Sequence, residues 1–563
     1  MTLHFKVFTA FFWGIALLWS SFAYSDTYHM EFELERGEIA VSAELQSVVS
    51  DEKVCLPAFG QRFGENLSIQ KMQTESSPKI VLNVDNAGCF VGLNANLFRI
   101  QYTLQMAQLP PGHYWLASKL SPYAANGYLA FPGESLFLER YVGRNSKPKR
   151  ATTVTVYGKR TISTLQTPPS IDGMERLKDD KNRPSHQSHQ SHQSIGNSER
   201  IPQLFWASTP EELTRSFWTF GNASVVRANT GSTEWTIFAD SQWQAPLSAI
   251  ESEISCILSH YAEWIPDRTP KQIAVFLFHA PFDADYRHGF ARAGGIILQM
   301  GRLAAARSRD RRILMAHELF HLYNGENLRF DELEYAKTAW FREGMTQYIA
   351  IHALLTLKLL SQNQHHEWIS DALTRQSIPH EPNPDDAYFQ GYFLSMAIEQ
   401  QWRLFQTPYT LMGFWQWLSH QPYWGLRYGN AGLQSILSSY SAFDFGDFFK
   451  RYVEGSTPLP VDLVLKASGL CRYTSTMLDY SSGLEYGYDP TTATLYVQHI
   501  VTNSPAWHAG LRRNMRLEPV PDMAWHNVED KVFSVPMQTG KKTFRIPVQA
   551  QRRTGVIVRP CAP

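Results

Sequence analysis

The pattern of apolar and polar positions changes twice along the chain. Before about residue 165, runs such as Arg99–Leu104 alternate or are β-branched, and Gly, Pro and Asn separate them, which is typical of strands. Between about 201 and 457, apolar residues recur at helical spacing, as in 311–323 and 388–405. Strand-like runs then return. We therefore predict a multidomain α+β protein with an N-terminal β-sandwich-like domain (26–165), a mainly helical domain (201–460) and a C-terminal β-domain (465–563).

Two further segments lack the composition of a packed domain. Lys6 precedes the apolar run Val7–Trp19 and a small-residue cleavage pattern at Ala23–Ser25, which predicts a secretory signal at residues 1–25. The run is shorter than the roughly 20 residues that span a bilayer, and a membrane anchor is the alternative. Residues 166–200 contain a Ser-His-Gln repeat, which predicts a low-complexity linker or loop. We expect a secreted or periplasmic protein with no stable membrane span after signal removal.

Charge and cysteine content exclude some partners and sites. The chain has 563 residues with 52 basic and 52 acidic side chains, so no net positive charge recruits nucleic acid. None of the five cysteines stands in a Cys-x-x-Cys pair, which excludes the usual cysteine zinc site. In an exported protein, Cys55 with Cys89, and Cys471 with Cys561, would each close a loop within one predicted domain. Cys256 lies in an apolar helical pattern and is predicted to be a buried thiol.

The segment His317-Glu318-Leu-Phe-His321 carries the clearest chemical signal. On a helix, histidines four residues apart project from one face and can take two corners of a zinc tetrahedron. Glu318 then lies beside the metal, where it can accept a proton from water. Apolar neighbours such as Leu319 and Phe320 predict a largely buried helix. For the motif alone, the alternative is a buried helix whose two histidines are hydrogen-bonded and hold no metal.

A catalytic zinc needs a third protein ligand, and Glu343 is the candidate. It lies in the otherwise apolar segment Ala339–Ala350, where an unpaired carboxylate would be costly and metal ligation would compensate. Pairing with Arg342 is the alternative explanation. The sequence therefore predicts one zinc ion per chain, held by His317, His321 and Glu343.

These residues resemble the glycyl aminopeptidase family of gluzincin peptidases. The likeness covers His317–Asn324, Trp340–Tyr348 and the helical segment that begins Tyr388-Phe-Gln-Gly391. It implies an N-terminal β-domain, a thermolysin-like catalytic domain and a C-terminal PDZ domain, in the order in which the composition changes. It also implies that Tyr388 donates a hydrogen bond to the tetrahedral oxyanion.

The C-terminal part of the likeness lies in residues 495–517. This stretch resembles the strand of a PDZ domain, a Ser-Pro-Ala helix start and an Ala-Gly-Leu turn. Ser504 can cap that helix, and Pro505 then falls in its first turn. Asn514-Met515 replaces the usual Gly-Asp, so we predict a degenerate PDZ-like domain with a peptide ligand as its candidate partner. The alternative is a small β-domain that only braces the enzyme.

One departure from the family concerns substrate binding. Family members often carry Gly-Gly-x-Glu-His before the zinc helix, and that Glu can hold the substrate amino terminus. Here Ile297 and Leu298 replace the Glu and the His. Gly294 and Gly295 are retained, and we predict that they let the substrate backbone approach an edge strand closely. The choice between an aminopeptidase and an endopeptidase stays open.

The sequence thus predicts an exported zinc metallopeptidase that acts on peptide or protein substrates. Glu318 is the predicted general base and Tyr388 the second catalytic residue. The alternative is a non-catalytic or weakly active envelope interaction protein that keeps its zinc and binds through the PDZ-like domain. The intact Glu318 favours the enzyme, because a structural zinc has no use for that acid. The altered substrate-binding stretch favours the interaction protein.

Overall fold

A computed structural model gives the fold of the chain. It describes residues 26–33, 38–48, 52–56, 67–74, 89–90, 95–105, 123–125, 128–132, 136–142, 152–157, 161–163, 203–207, 213, 215–221, 223–240, 243, 245–280, 286–292, 294–325, 328–331, 334–377, 386–405, 407–422, 427–455, 457–479, 483–489, 494–517, 532–536, 543–547 and 551–561. The predicted signal and the predicted linker lie outside the described residues. The chain divides into two compact units, of which the first comprises Met1–Pro111 and Trp115–Asn222, and the second Gly112–Tyr114 and Ala223–Pro563.

The first unit is built of β-strands. Their bounds are Asp26–Glu33 (β1), Glu38–Val48 (β2), Glu52–Cys55 (β3), Leu67–Thr74 (β4), Cys89–Phe90 (β5), Ala95–Gln105 (β6), Tyr123–Ala125 (β7), Tyr128–Pro132 (β8), Glu139–Val142 (β9), Thr152–Tyr157 (β10), Thr161–Ser163 (β11), Gln203–Ala207 (β12) and Phe217–Gly221 (β13). They form a six-stranded sheet in the order β12-β10-β1-β2-β6-β4, a four-stranded sheet β11-β13-β8-β7 and a three-stranded sheet β5-β3-β9.

Alternation along the strands builds the core of this unit. In β2, Ile39, Val41 and Ala43 are buried and lie two residues apart, so they share one face of the sheet. They belong to one apolar cluster with Val54 from β3 and Trp218 from β13. The core therefore joins residues of all three sheets.

The first unit extends beyond residue 165, where the sequence pattern placed a boundary. β12 pairs antiparallel with β10, and β13 pairs antiparallel with β8. Residues 203–207 and 217–221, which the sequence pattern assigned to the helical domain, thus complete sheets of the first unit. The boundary of the first unit depends on pairing between strands that are distant in sequence. Local apolar periodicity carries no information about such pairing.

A five-stranded sheet opens the second unit. Its strands are Ser224–Thr230 (β14), Thr233–Ala239 (β15), Gln272–His279 (β16), Arg287–Arg292 (β17) and Gly295–Met300 (β18), in the order β14-β15-β16-β18-β17. The three central strands are parallel, and both edge strands pair antiparallel. All residues of β16 after the first are buried, as expected for a strand covered on both faces.

The rest of the second unit is mainly helical up to residue 467. The helices are Leu247–Trp264 (α1), Arg302–Ala306 (α2), Ser308–His321 (α3), Thr346–Thr356 (α4), Gln362–Gln376 (α5), Asp386–Leu404 (α6), Leu411–Ser419 (α7), Asn430–Ser441 (α8), Gly446–Phe448 (α9) and Val461–Ala467 (α10). A 3₁₀ turn covers Pro266–Arg268, and π turns cover Trp340–Met345 and Phe449–Val453. No helix among the described residues is both long and apolar enough to cross a membrane.

Helix α3 lies deep in this unit. The Tyr261 hydroxyl of α1 donates a hydrogen bond to the Ala316 carbonyl oxygen at 2.9 Å, and Phe320 packs edge-on against Trp415 of α7 with ring centroids 5.0 Å apart. The helix was predicted to be largely buried because its flanking residues are apolar, and the structure confirms this. Rings that pack from different helices fix the position of α3.

Short strands complete the second unit. They are Arg329–Phe330 (β19), Arg427–Tyr428 (β20), Leu470–Asp479 (β21), Leu484–Asp489 (β22), Thr494–Ile500 (β23), Arg516–Leu517 (β24), Val532–Pro536 (β25), Thr543–Pro547 (β26) and Gln551–Pro560 (β27), with the helix Pro505–His508 (α11). They pair as β19-β20, β21-β27, β22-β23-β24 and β25-β26. The Ser504 hydroxyl accepts a hydrogen bond from the Trp507 N–H at 3.2 Å, which confirms the predicted cap. The PDZ-like assignment stays a prediction.

The cysteines form the two disulfides that the sequence suggested. Cys55 is bonded to Cys89 within the first unit, and Cys471 is bonded to Cys561 within the second. The prediction of a buried Cys256 is wrong, because this free cysteine of α1 is exposed. It lies on the outer side of an amphipathic helix whose buried residues include Ile254 and Ile257.

Candidate metal centre

Three side chains that the sequence singled out converge at one point of the second unit. The Nε2 atoms of His317 and His321 are 3.0 Å apart, and they lie 3.3 and 3.2 Å from Oε2 of Glu343. A tetrahedral zinc ion with bonds of 2.0–2.1 Å separates its ligand atoms by about 3.3 Å. The three donor atoms therefore have the spacing and the chemistry of a zinc site.

Asn324 holds the second histidine in the ligand orientation. Its carbonyl oxygen lies 2.8 Å from Nδ1 of His321, so that nitrogen carries the proton and Nε2 keeps its lone pair. The buried Asn324 amide donates to the Phe341 carbonyl at 3.1 Å and to the Thr346 hydroxyl at 2.9 Å. One side chain thus joins the end of α3 to the segment that carries the third ligand.

Glu343 projects from the π turn at Trp340–Met345. π turns are rare and often occur at functional sites, and this one precedes α4 without a break in the helix. The Arg342 guanidinium donates to Oε1 of Glu343, whereas Oε2 faces the histidines. Pairing with Arg342 and ligand geometry, which the sequence offered as alternatives, therefore occur together.

The ionisation of the three groups suits a cation. Burial lowers the pKa of His317 to about 4, so its ring is neutral at pH 7. Burial alone would raise the pKa of Glu343, but His321, His317 and Arg342 bring that pKa well below its usual value. Burial alone would lower the pKa of His321, but the carboxylates of Glu343 and Glu318 raise that pKa above its usual value. The site stabilises positive charge at its centre.

Two glycines bring helix α6, which carries Tyr388, against the π turn that carries Glu343. A Cβ atom on Gly391 of α6 would collide with the Trp340 carbonyl, and one on Gly344 would collide with the Gly391 backbone. Without side chains at these positions, α6 and the π turn touch backbone to backbone. One turn before Gly391, the ring of Tyr388 stacks on His317 with centroids 5.2 Å apart and planes at 29°. The structure thus places Tyr388 at the metal ligands.

Glu318 faces the edge strand β17. Its side chain is buried, and a Cβ atom on Gly289 would come within 2.6 Å of its Oε1 atom. A glycine at 289 is therefore the residue that leaves room for the predicted general base. Gly289 could not be found from the sequence, because a lone glycine in a short strand carries no motif.

A cavity of about 220 Å³ adjoins these residues. It is lined by Arg287, His288, Gly289, Asp310, Ile313, Leu314, His317, Glu318, Gln347, Trp368, Tyr388 and Phe389. Gly294 and Gly295, predicted to bind substrate, do not line it. Gly294 forms the turn between β17 and β18 with φ at +76°, and Gly295 is buried as the first residue of β18. The glycine that adjoins the cavity is Gly289.

Comparisons with known proteins agree with this site. Residues 310–383, which contain the three ligands and Glu318, match the model of the M61 glycyl aminopeptidase family. No curated protein matches the chain. The resemblance to glycyl aminopeptidases is thereby confirmed for the segment that carries the metal centre.

Solved structures with the same fold include zinc peptidases. The chain is similar to an aminopeptidase N family protein from Idiomarina loihiensis, with 14% identity, coverage of 95% of this chain and 98% of that one, and a TM-score of 0.65. It is also similar to an M1 zinc metallopeptidase from Deinococcus radiodurans, with 13% identity, coverage of 78% and 95%, and a TM-score of 0.52. Family match, fold and metal triad together support a zinc metallopeptidase.

Proposed function

We propose that the chain is an exported peptidase that hydrolyses peptide bonds with Glu318 as its general base. One observation carries the proposal: Glu318 follows a metal-ligand histidine directly and lines the same cavity as His317 and Tyr388. A site that binds zinc only for stability has no need of an acid and a cavity beside the metal. The related M1 metallopeptidase from Deinococcus radiodurans has been solved with a Tyr-Ser-Ala substrate, which agrees with a peptide as substrate.

The protein supplies the ligands and a base. His317, His321 and Glu343 would hold one zinc ion, which when bound supplies Lewis-acid polarisation of the peptide carbonyl and lowers the pKa of water. The Glu318 carboxylate accepts a proton from the attacking water and passes it to the leaving nitrogen. Burial of the cavity wall around Glu318 limits competing solvent at that carboxylate.

Tyr388 is the proposed stabiliser of the oxyanion. Its ring is held against His317, and its side chain lines the cavity. A phenol O–H that donates to the oxyanion is typically worth about 3 kcal/mol in the transition state. The resemblance to glycyl aminopeptidases assigns the same role to this residue.

The way in which the enzyme holds its substrate differs from the family pattern. Ile297 and Leu298, which replace the amino-terminal anchor and its neighbour, are fully buried in β18. Neither position can contact a substrate amino group. The choice between exo- and endopeptidase activity therefore depends on other residues of the cavity.

The test compares wild type with Glu318→Gln. Zinc content and hydrolysis of unblocked and N-blocked peptides are measured on both purified proteins. We expect about one zinc per chain in both, and a 10²- to 10⁴-fold loss of turnover in the variant, as is typical when a general base is removed. Cleavage of unblocked peptides alone indicates an aminopeptidase, and cleavage of blocked peptides an endopeptidase. A zinc-loaded wild type that cleaves nothing would overturn the proposal in favour of an interaction protein.

A further inference from the structure

A charged pair contributes to the lining of the cavity. Arg287 of β17 and Asp310 of α3 both line it, and Nη1 of Arg287 is 3.1 Å from Oδ2 of Asp310. The Asp310 side chain is 3% exposed, whereas that of Arg287 is 35% exposed. The acid is thus a buried anchor, and the guanidinium is the part of the pair that solvent and ligands can reach.

Sequence spacing relates this pair to the zinc ligands. Asp310 precedes His317 by seven residues on one helix face, which corresponds to about 10 Å. Arg287 precedes Gly289 by two residues, so both point to the same face of β17, about 7 Å apart. Since an extended peptide rises about 3.4 Å per residue, the pair lies two or three peptide residues from the reacting centre.

Because Asp310 also pairs with other arginines, the guanidinium of Arg287 can use some of its N–H donors to bind a ligand carboxylate. Arg309 lies 2.9 Å from Asp310 and Arg307 lies 4.0 Å from it, so Arg287 shares this carboxylate with two other arginines. Arg309 also pairs with two acids of α5, Glu367 and Asp371. A guanidinium has five N–H donors in a planar fork that fits a carboxylate. Of the described residues that line the cavity, Arg287 carries the only permanent positive charge.

This charge selects for a particular group on the substrate. An arginine repels the ammonium group that the family's anchoring Glu would attract. It attracts a carboxylate, and the buried Asp310 partner fixes the guanidinium so that little side-chain entropy is lost on binding. Trp368 and Phe389, whose rings are 5.9 Å apart, add apolar surface to the same cavity.

We propose that Arg287, held by Asp310, binds a carboxylate of the peptide substrate two or three residues from the scissile bond. The inference rests on the proposed peptidase function and adds a substrate class to it. The carboxylate can come from an acidic side chain or from the peptide C-terminus.

The experiment compares each acidic peptide with an uncharged analogue, called its twin below, that is otherwise identical. A substrate found with a peptide library is remade with Glu or Gln at each position near the cleaved bond, and with a free or an amidated C-terminus. Values of kcat and KM are measured for wild type, Arg287→Gln and Arg287→Lys. The control is Arg227→Gln, which removes an exposed arginine from β14, the opposite edge strand of the same sheet.

We expect wild type to favour one acidic peptide over its twin by about tenfold or more, mainly through KM. Arg287→Gln should remove this preference, Arg287→Lys should retain part of it, and Arg227→Gln should leave it unchanged. Preference for a Glu side chain or for a free C-terminus identifies the source of the carboxylate. An Arg287 that only ties β17 to α3 would alter the melting temperature and leave the acid preference intact, which overturns the inference.

Binding to Glu318→Gln separates this inference from the proposed function. Acidic peptides should bind that variant about tenfold more tightly than their twins, whether or not wild type turns them over. If wild type cleaves both members of each pair equally, the peptidase stands and the carboxylate site fails. If nothing is cleaved but binding still depends on Arg287 and the carboxylate, the site stands and the peptidase fails. If neither is observed, both fail.

Discussion

The cavity has two walls that differ in how the sequence encodes them. On one side, helices α3, α4, α5 and α6 line the cavity and carry His317, Glu318 and Tyr388. Together with the candidate ligand Glu343, which contacts His317, they form the helix wall. The strand wall, made by β17, carries Arg287, His288 and Gly289. Residues of the helix wall stand at fixed helical spacings within single segments. The strand wall reaches the site only through pairing of β17 with β18.

The two walls are suited to different tasks: the helix wall to the reaction and the strand wall to substrate recognition. Metal ligation and proton transfer need groups fixed within fractions of an ångström, and packed helices with buried hydrogen bonds such as those of Asn324 provide this. An edge strand with one side chain partly open to solvent, as at Arg287, can change its side chains without disturbing the ligands. We therefore expect damage to the helix wall to abolish the reaction, and a change of Arg287 in the strand wall to alter substrate use. Gly289 is the exception in the strand wall, because it packs against Glu318.

The largest effect is expected from Glu343→Gln in the helix wall. The neutral amide removes the charge that the two histidines face, so zinc affinity should fall by about 100-fold or more, and activity with it. Zinc content after dialysis against graded chelator measures this. Glu367→Gln, on the exposed surface of α5, is the control and should keep its zinc. Equal zinc affinity in both variants would exclude Glu343 as a ligand.

Gly289→Ala should give the next largest effect, from the strand wall. The added Cβ atom would displace the Glu318 side chain, which it would meet at 2.6 Å, so kcat should fall about 100-fold while zinc is retained. The control is Gly231→Ala, at a turn with φ of +58° where a Cβ atom meets nothing within 4 Å. It should cost some stability and no activity. A fully active Gly289→Ala would show that Glu318 does not need this space.

The last prediction concerns acid stability at helices α5 and α6 and leaves the reaction itself unchanged at neutral pH. His365 of α5 is hydrogen-bonded to the Tyr392 hydroxyl of α6 at 2.6 Å, and burial lowers its pKa to about 3. The unfolded chain binds this proton at about pH 6.5. The contribution of His365 is therefore complete above pH 6.5, and as the pH falls towards 3 it is lost at about 1.4 kcal/mol per unit.

Unfolding of wild type and His365→Asn by denaturant, between pH 7 and pH 4, measures this contribution. The variant keeps a polar group near Tyr392 but has no titrating ring, so its free energy of unfolding should fall less steeply with pH. His420→Gln, at an exposed position, should follow wild type. Parallel curves for wild type and His365→Asn would contradict the prediction.

The two walls also differ in how far the sequence predicted them. The spacing of His317 and His321, and the isolated acid at Glu343, predicted three side chains that the structure brings together, because helical periodicity is local. The role of Gly294 and Gly295 stays a prediction from the same kind of local likeness, whereas the register of β17 against β18 brings Gly289 to the site. The extent of the first unit could not be predicted from the sequence for the same reason, because β12 and β13 join that unit by long-range strand pairing.

In evolutionary terms, the π turn at Trp340–Met345 constrains the length of its segment as well as the residues at positions 343 and 344. A π turn closes i→i+5 hydrogen bonds and so holds more residues per turn than an α-helix. Deletion of one residue there would restore α-helix and rotate Thr346–Thr356 by about 100° relative to Glu343. Gln347, which now lines the cavity, would then point elsewhere. We expect lineages that keep this site to retain the length of the segment together with Glu343 and Gly344, while its other positions vary.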